Sequence, residues 1–204
     1  IKRAQAVRTV SQRLKKRLVE EFGVPEDRIT VAHIFQEVQT KQYEPPVKDK
    51  NSKFIFLTVG RLVAVKNINL QIEAFAELIG NRDDMEWRIV GDGPERGRLE
   101  TLSKKFGMAK QVKCLGWQSD PEKYYNQADV FLLTSEAEGW PLVIVEAAAA
   151  GLPIIMTNVG SAGELIVDGV SGIIIPVDNK EMLSYAMVKI VRDNALRARL
   201  REGA

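Results

Sequence analysis

Glu138-Gly139-Trp140-Pro141-Leu142-Val143-Ile144-Val145-Glu146-Ala147-Ala148-Ala149-Ala150-Gly151 is the stretch on which the reading of this chain turns. Pro141 suits the first turn of a helix, where its missing N–H costs nothing, and Gly151 suits the position just past the end. Glu138 then lies in a loop and Glu146 in the second helical turn. At a rise of about 1.5 Å per residue, Glu146 starts about one turn below the rim at which the loop enters. A carboxylate at that depth, between Val145 and Ala147, is costly unless it is hydrogen-bonded. The paired hydroxyls of a ribose would satisfy it. Backbone or arginine partners are the plain structural alternative, with Glu138 as a solvated loop acid. The alanine run predicts close packing of this helix on the layer beneath.

Outward from this helix one pattern repeats. Residues 54–59, 85–90, 112–115, 130–133, 154–156 and 172–175 are short apolar runs suited to strands. Residues 67–79, 94–106, 121–127, 141–150 and 180–191 carry helical period. The alternation predicts an α/β fold, a parallel sheet with helices on both faces. In such sheets ligands sit outside the carboxyl ends of the strands. The informative loops are therefore those after Val59, Val90, Leu115, Leu133 and Met156.

The first of these loops holds Gly60, Arg61 and Leu62, with Lys66 just before a helix. A guanidinium fork, an ammonium and a helix N-terminus together suit a diphosphate. Two solvated cations are the alternative. The second, Gly91-Asp92-Gly93-Pro94-Glu95-Arg96-Gly97, comes close to a dinucleotide fingerprint. It is not in the first strand–helix unit, however, and the next strand ends in Gly116-Trp117 with no acid placed for a ribose, so nicotinamide binding is disfavoured. The loop after Met156, from Asn158 through Gly160 to Glu164, predicts a glycine turn into a short helix, with backbone N–H groups free to face phosphate or Glu164 serving as a helix-start acid.

Composition narrows the classes. The 204 residues are 45% hydrophobic and 27% charged, enough for a core without staples, and the net charge of +2 gives no reason to expect nucleic acid as a partner. The longest apolar stretch, 141–156, is broken by Glu146, Gly151 and Pro153 and cannot span a membrane. The single cysteine, Cys114, is expected in the core and fits a reducing, cytoplasmic setting. The single histidine, His33, has no metal-ligand neighbours, and no Asp-x-Asp pair occurs, so no metal and no cofactor are expected. Residues 11–21 read as a basic amphipathic helix capped by Ser11, followed by a strand over 29–34. A solvated face is the preferred reading of its charge, and peripheral membrane association of the full-length protein is the other. Residues 45–52, with Pro45 and Pro46, read as a linker. The opening Ile1-Lys2-Arg3 and the closing Arg201-Glu202-Gly203-Ala204 predict a piece of a longer protein.

Set in order, these residues resemble a known family. Gly60-Arg61-Leu62 with Lys66, Val90 to Pro94, Leu115-Gly116-Trp117, Glu138 and Glu146 with seven residues between, Ala150 to Pro153, Gly160 to Glu164 and Asp168 to Gly172 are similar to the C-terminal domain of family 4 (group 1) GT-B glycosyltransferases. Residues 1–44 resemble the last strand–helix–strand of that family's N-terminal, acceptor domain, although Ile34-Phe35-Gln36-Glu37 stands where the family often has an Asn-Gly-Val-Asp turn. The resemblance implies residues 1–44 as an acceptor-domain remnant, 45–52 as linker and 53–204 as a nucleotide-sugar-binding, Rossmann-like domain, one half of a GT-B fold. It implies metal-independent, retaining transfer from a nucleoside-diphosphate sugar, completed by the missing N-terminal domain. Arg61 and Lys66 would hold the diphosphate and Glu138 the sugar hydroxyls. Glu146 would bind the ribose, and Trp117 and Gln118 would border the base. Gly60, Gly91, Gly93, Gly139, Trp140, Pro141 and Gly160 would complete the substrate-binding set. A sugar-nucleotide epimerase of the same architecture and a non-catalytic nucleotide-binding module are the rival readings.

Overall fold

The computed structural model describes residues 4–34, 52–80 and 82–204. Apart from Ser52, the expected linker lies outside them. β1 (Val7–Thr9) and β2 (Ile29–Val31) form a parallel pair joined by α1 (Gln12–Glu20). Ser11 caps α1 as expected, its hydroxyl accepting from the Leu14 N–H at 3.2 Å. The strand expected over 29–34 stops at Val31.

The main sheet contains β3 (Phe54–Val59), β4 (Met85–Val90), β5 (Val112–Gly116), β6 (Val130–Leu133), β7 (Ile154–Thr157) and β8 (Gly172–Ile175). Its order is β5-β4-β3-β6-β7-β8, and every pairing is parallel. Side chains alternate between faces with period two. Phe56, Leu132 and Ile155 enter one core; Leu57, Phe131, Leu133, Ile154 and Met156 enter the other. The first is closed by α2 (Ile68–Ile79), α3 (Arg96–Lys105), α6 (Lys180–Arg192) and α7 (Asn194–Glu202). The second is closed by α4 (Glu122–Tyr125) and α5 (Leu142–Ala149). Both faces are covered, as the unbroken apolar strands require.

Two expectations change. No helix follows Gly160; Gly160 and Gly163 take φ of +54° and +81°, left-handed values that turn the chain rather than wind it. Cys114 is half-buried at the border of the first core rather than within it. Burial pushes its thiol up, which keeps it protonated and unreactive.

Candidate functional site

The strand order places the site. From β3 the chain steps outward through β4 to β5, then returns to lay β6 against the other side of β3. The connections above β3 and β6 therefore run in opposite directions and leave a crevice at the carboxyl end of the sheet. The loop after β3 carries Arg61 and Lys66, and the loop after β6 carries Glu138.

The loops after β3, β4 and β5 are tied together. The Gly60 N–H donates to the Val90 carbonyl at 3.0 Å, Leu62 N–H to Asp92 at 2.9 Å, and Gly91 N–H to Gly116 at 2.8 Å. A Cβ on Gly91 would stand 1.9 Å from the Gly60 oxygen. Gly91 thus serves the approach of one loop to the next. The Asp92 carboxylate is engaged by the Gly93 N–H and Arg96, which lower its pKa. It is not free for a ribose.

Lys66 and Glu138 meet across the crevice. Lys66 Nζ donates to Glu138 Oε1 at 2.5 Å, and Ser135 Oγ donates to the same oxygen at 2.6 Å. Beneath Lys66 runs a buried polar chain. Trp87 Nε1 donates to Thr58 Oγ1, Thr58 to Gln71 Oε1, and Gln71 Nε2 to Thr134 Oγ1. The Thr134 hydroxyl faces the carbonyls of Lys66 and Asn67 at 3.1 and 3.0 Å. Asn67 is held at φ +46°, a conformation that asparagine tolerates better than most residues. The backbone at Lys66 is therefore fixed from within the core. The Arg61 side chain, by contrast, is exposed and makes no hydrogen bond or ion pair with any described residue.

Glu146 projects from the second turn of α5, and its partner is neither backbone nor arginine. Tyr125 Oη donates to Glu146 Oε2 at 2.7 Å. The tyrosine is buried, and burial, reinforced by the Glu146 charge and bond, pushes its phenol well up, so it remains a donor. Oε1 of Glu146 has no hydrogen-bond partner among the described residues. Nothing short-range in the sequence links Tyr125 to Glu146; an apolar helix facing an aromatic-rich turn is the only hint.

The remaining expected residues divide. Gly139, Trp140 and Pro141 line the same loop as Glu138, and Gly160 is packed beneath it: a Cβ there would lie 2.9 Å from both Glu138 Cβ and Pro141 Cδ. Gly93 lies against the Leu62 backbone. Trp117 stands 73% exposed beyond β5, and Gln118 turns its amide back to the Leu115 carbonyl at 2.9 Å. No described bond brings either to the Lys66–Glu138 pair.

The segment before the main sheet also reaches the site. His33 stacks on Trp140, ring centroids 4.4 Å apart, while its Nδ1 bonds the Val10 carbonyl at 3.0 Å. Glu164 is a helix-start acid after all, but for α1. Its carboxylate accepts from the Gln12 and Arg13 N–H groups at 2.9 and 3.1 Å. The Arg13 guanidinium returns across the same contact to Asn158 and the Ala162 carbonyl. Sequence reasoning missed this contact because about 150 residues separate its partners. Among the described residues no His, Cys, Asp or Glu cluster is placed to hold a metal ion, and no helix is long and apolar enough to cross a membrane.

With this geometry in view, comparison with known proteins is informative. The family described as glycosyl transferases group 1 matches residues 39–204. The lipopolysaccharide core biosynthesis glycosyltransferase LpsE of Rhizobium meliloti is 33% identical over 148 residues, 72% of this chain and 42% of its own length. The alpha-D-kanosaminyltransferase of Streptomyces kanamyceticus is 27% identical across 100% of this chain and 55% of its own. This chain thus spans about half the length of the curated relatives it matches. Among solved structures, Anabaena Alr3699/HepE in complex with UDP-glucose superposes with a TM-score of 0.84 at 21% identity, over 99% of this chain and 58% of that one. At that identity the likeness speaks to the fold.

Proposed function

This chain belongs to the group 1 glycosyl transferases, and from that premise we propose that it is the donor-binding part of a retaining, metal-independent enzyme that moves a sugar from a nucleoside-diphosphate sugar to an acceptor. The observation that carries the proposal is the Lys66–Glu138 pair at the switch point of the sheet, with the half-paired carboxylate of Glu146 on the next helix. A cation, a carboxylate beside it and a second carboxylate with one open oxygen match diphosphate, sugar hydroxyls and ribose in turn.

In this reading the diphosphate enters between Lys66 and Arg61. As the glycosidic bond breaks, negative charge grows on the departing nucleoside diphosphate, and those two cations are already in place to meet it. Glu138 keeps Lys66 oriented and offers its second oxygen to a sugar hydroxyl. Trp117 offers an exposed aromatic face at the edge where the base would lie. Residues 4–34, latched through Glu164 and stacked through His33, carry the wall toward the acceptor. UDP is the first nucleotide to try, because the Anabaena protein was solved with UDP-glucose.

Calorimetry of this chain with UDP, GDP and ADP tests the donor site directly. Saturable binding of one of them is expected, and no binding of any would remove the proposal. Incubating the full-length enzyme with donor alone separates transfer from epimerisation, since only an epimerase would release an altered sugar nucleotide.

A further inference from the structure

We infer that Tyr125 is the positioning residue for recognition of the donor ribose: by holding Oε2 of Glu146 it aims Oε1 alone at the ribose hydroxyls. The inference rests on the donor-site reading above and adds to it a residue outside the expected set.

Glu146 sits in the second turn of α5, half-buried, with a side chain long enough to adopt several rotamers. A free carboxylate there would rotate, and the two hydroxyls of a ribose would have to order it on binding. The Tyr125 bond removes that freedom beforehand. The tyrosine itself cannot swing: it is 2% exposed, and its ring packs on Phe131 at 5.7 Å between centroids. Its phenol stays protonated for the reasons given above, so it always donates and one of the two carboxylate oxygens is always occupied. A single oxygen without a partner among the described residues then remains for a ligand. This arrangement recognises a cis-diol by a fixed acceptor, and a nucleotide lacking the hydroxyls leaves that acceptor unpaired.

The test compares diphosphates with and without ribose hydroxyls on two proteins. The wild-type chain and Tyr125→Phe are titrated with UDP, GDP and ADP and with the 2′,3′-dideoxy form of each. For the wild type, the best-bound diphosphate should exceed its dideoxy form by about tenfold or more, as for a hydrogen bond to a charged group. In Tyr125→Phe that ratio should fall severalfold while the dideoxy affinity stays unchanged. A merely structural role would lower both ligands together and leave the ratio intact, which overturns the inference. Absence of binding by any diphosphate overturns the donor-site reading as well. Binding by the wild type without a ribose preference removes Glu146 from the site and Tyr125 with it. Should the variant fold poorly, a crystal structure of the wild-type complex decides. The ribose is expected on the carboxylate oxygen that Tyr125 does not hold, with the tyrosine bond retained, and a ribose that displaces the tyrosine bond sinks the idea.

Discussion

Lys66 and Glu138 extend from the loops above β3 and β6, the two strands between which the sheet changes direction, and their charged ends meet at 2.5 Å. Both side chains are largely covered, 21% and 14% exposed, so water screens the pair only partly. The sequence suggests separate partners for them, diphosphate for one and sugar for the other. The structure makes them one unit: in the proposed reading, an incoming diphosphate would share Lys66 with a carboxylate already there.

Substituting each member should therefore separate binding from turnover. Lys66→Ala, or Arg61→Ala, should lower turnover of the full-length enzyme at least about tenfold, the loss expected when about 1.4 kcal/mol of charge stabilisation disappears. Glu138→Gln should bind free nucleoside diphosphate several times more tightly, because Lys66 is released, yet transfer more slowly. Calorimetry beside steady-state kinetics reads both, and a Glu138→Gln variant that binds more weakly would contradict the shared-cation account.

Gly160 is where a methyl group cannot be tolerated. Its φ of +54° and the 2.9 Å approach to Glu138 Cβ and Pro141 Cδ mean that Gly160→Ala must strain the turn or push the Glu138 loop away. A loss of about 1–3 kcal/mol in stability is expected. Nucleotide affinity should fall further than it does for Gly163→Ala, which meets open space. Thermal melts and titrations of the two variants provide the comparison.

The latch between Glu164 and α1 predicts a local effect. Glu164→Ala leaves the Gln12 and Arg13 N–H groups without protein acceptors, at a cost of about 1 kcal/mol. Hydrogen exchange over residues 12–20 should accelerate while that of the main sheet stays slow. Uniform acceleration across the chain would show instead that residues 4–34 fold as one with the sheet.

Tyr125 also governs the alkaline limit. Its folded-state pKa is raised above the ordinary value of 10.0, so the neutral phenol stabilises the fold fully below pH 10. Above that pH the unfolded chain gains by ionising its tyrosine and the folded chain does not, so this contribution is lost as pH rises. Tyr125→Phe should accordingly lose less stability between pH 9 and 11 than the wild type. Phenolate absorbance should reveal a wild-type tyrosine that titrates only on unfolding; its appearance in the folded protein would mean that Tyr125 is accessible.

The sheet was legible because its signals are local. Strands buried on both faces must be apolar throughout, as 130–133 and 154–156 are, and intervening helices must show period 3.6. The short helix expected after Gly160 failed for an equally local reason, two left-handed glycines whose conformation no spacing reveals. The candidate site was legible as a set of loops and the helices they lead into, because ligands in such a sheet sit outside the strands' carboxyl ends. Its pairings were not. A lysine and a glutamate 72 positions apart, or a tyrosine and a glutamate 21 apart, meet only when strand order is set.

What the sequence by itself determined is the architecture, and with it the stretch from Glu138 to Gly151 as a candidate wall of the proposed site, since burial and helical period act through neighbours in the chain. What only the tertiary structure decided is which charges face each other. Lys66 is held by Glu138, Glu146 by Tyr125, and the start of α1 by Glu164. Hydrogen bonds and ion pairs act over about 3 Å, and that distance is defined only after the sheet has turned back on itself.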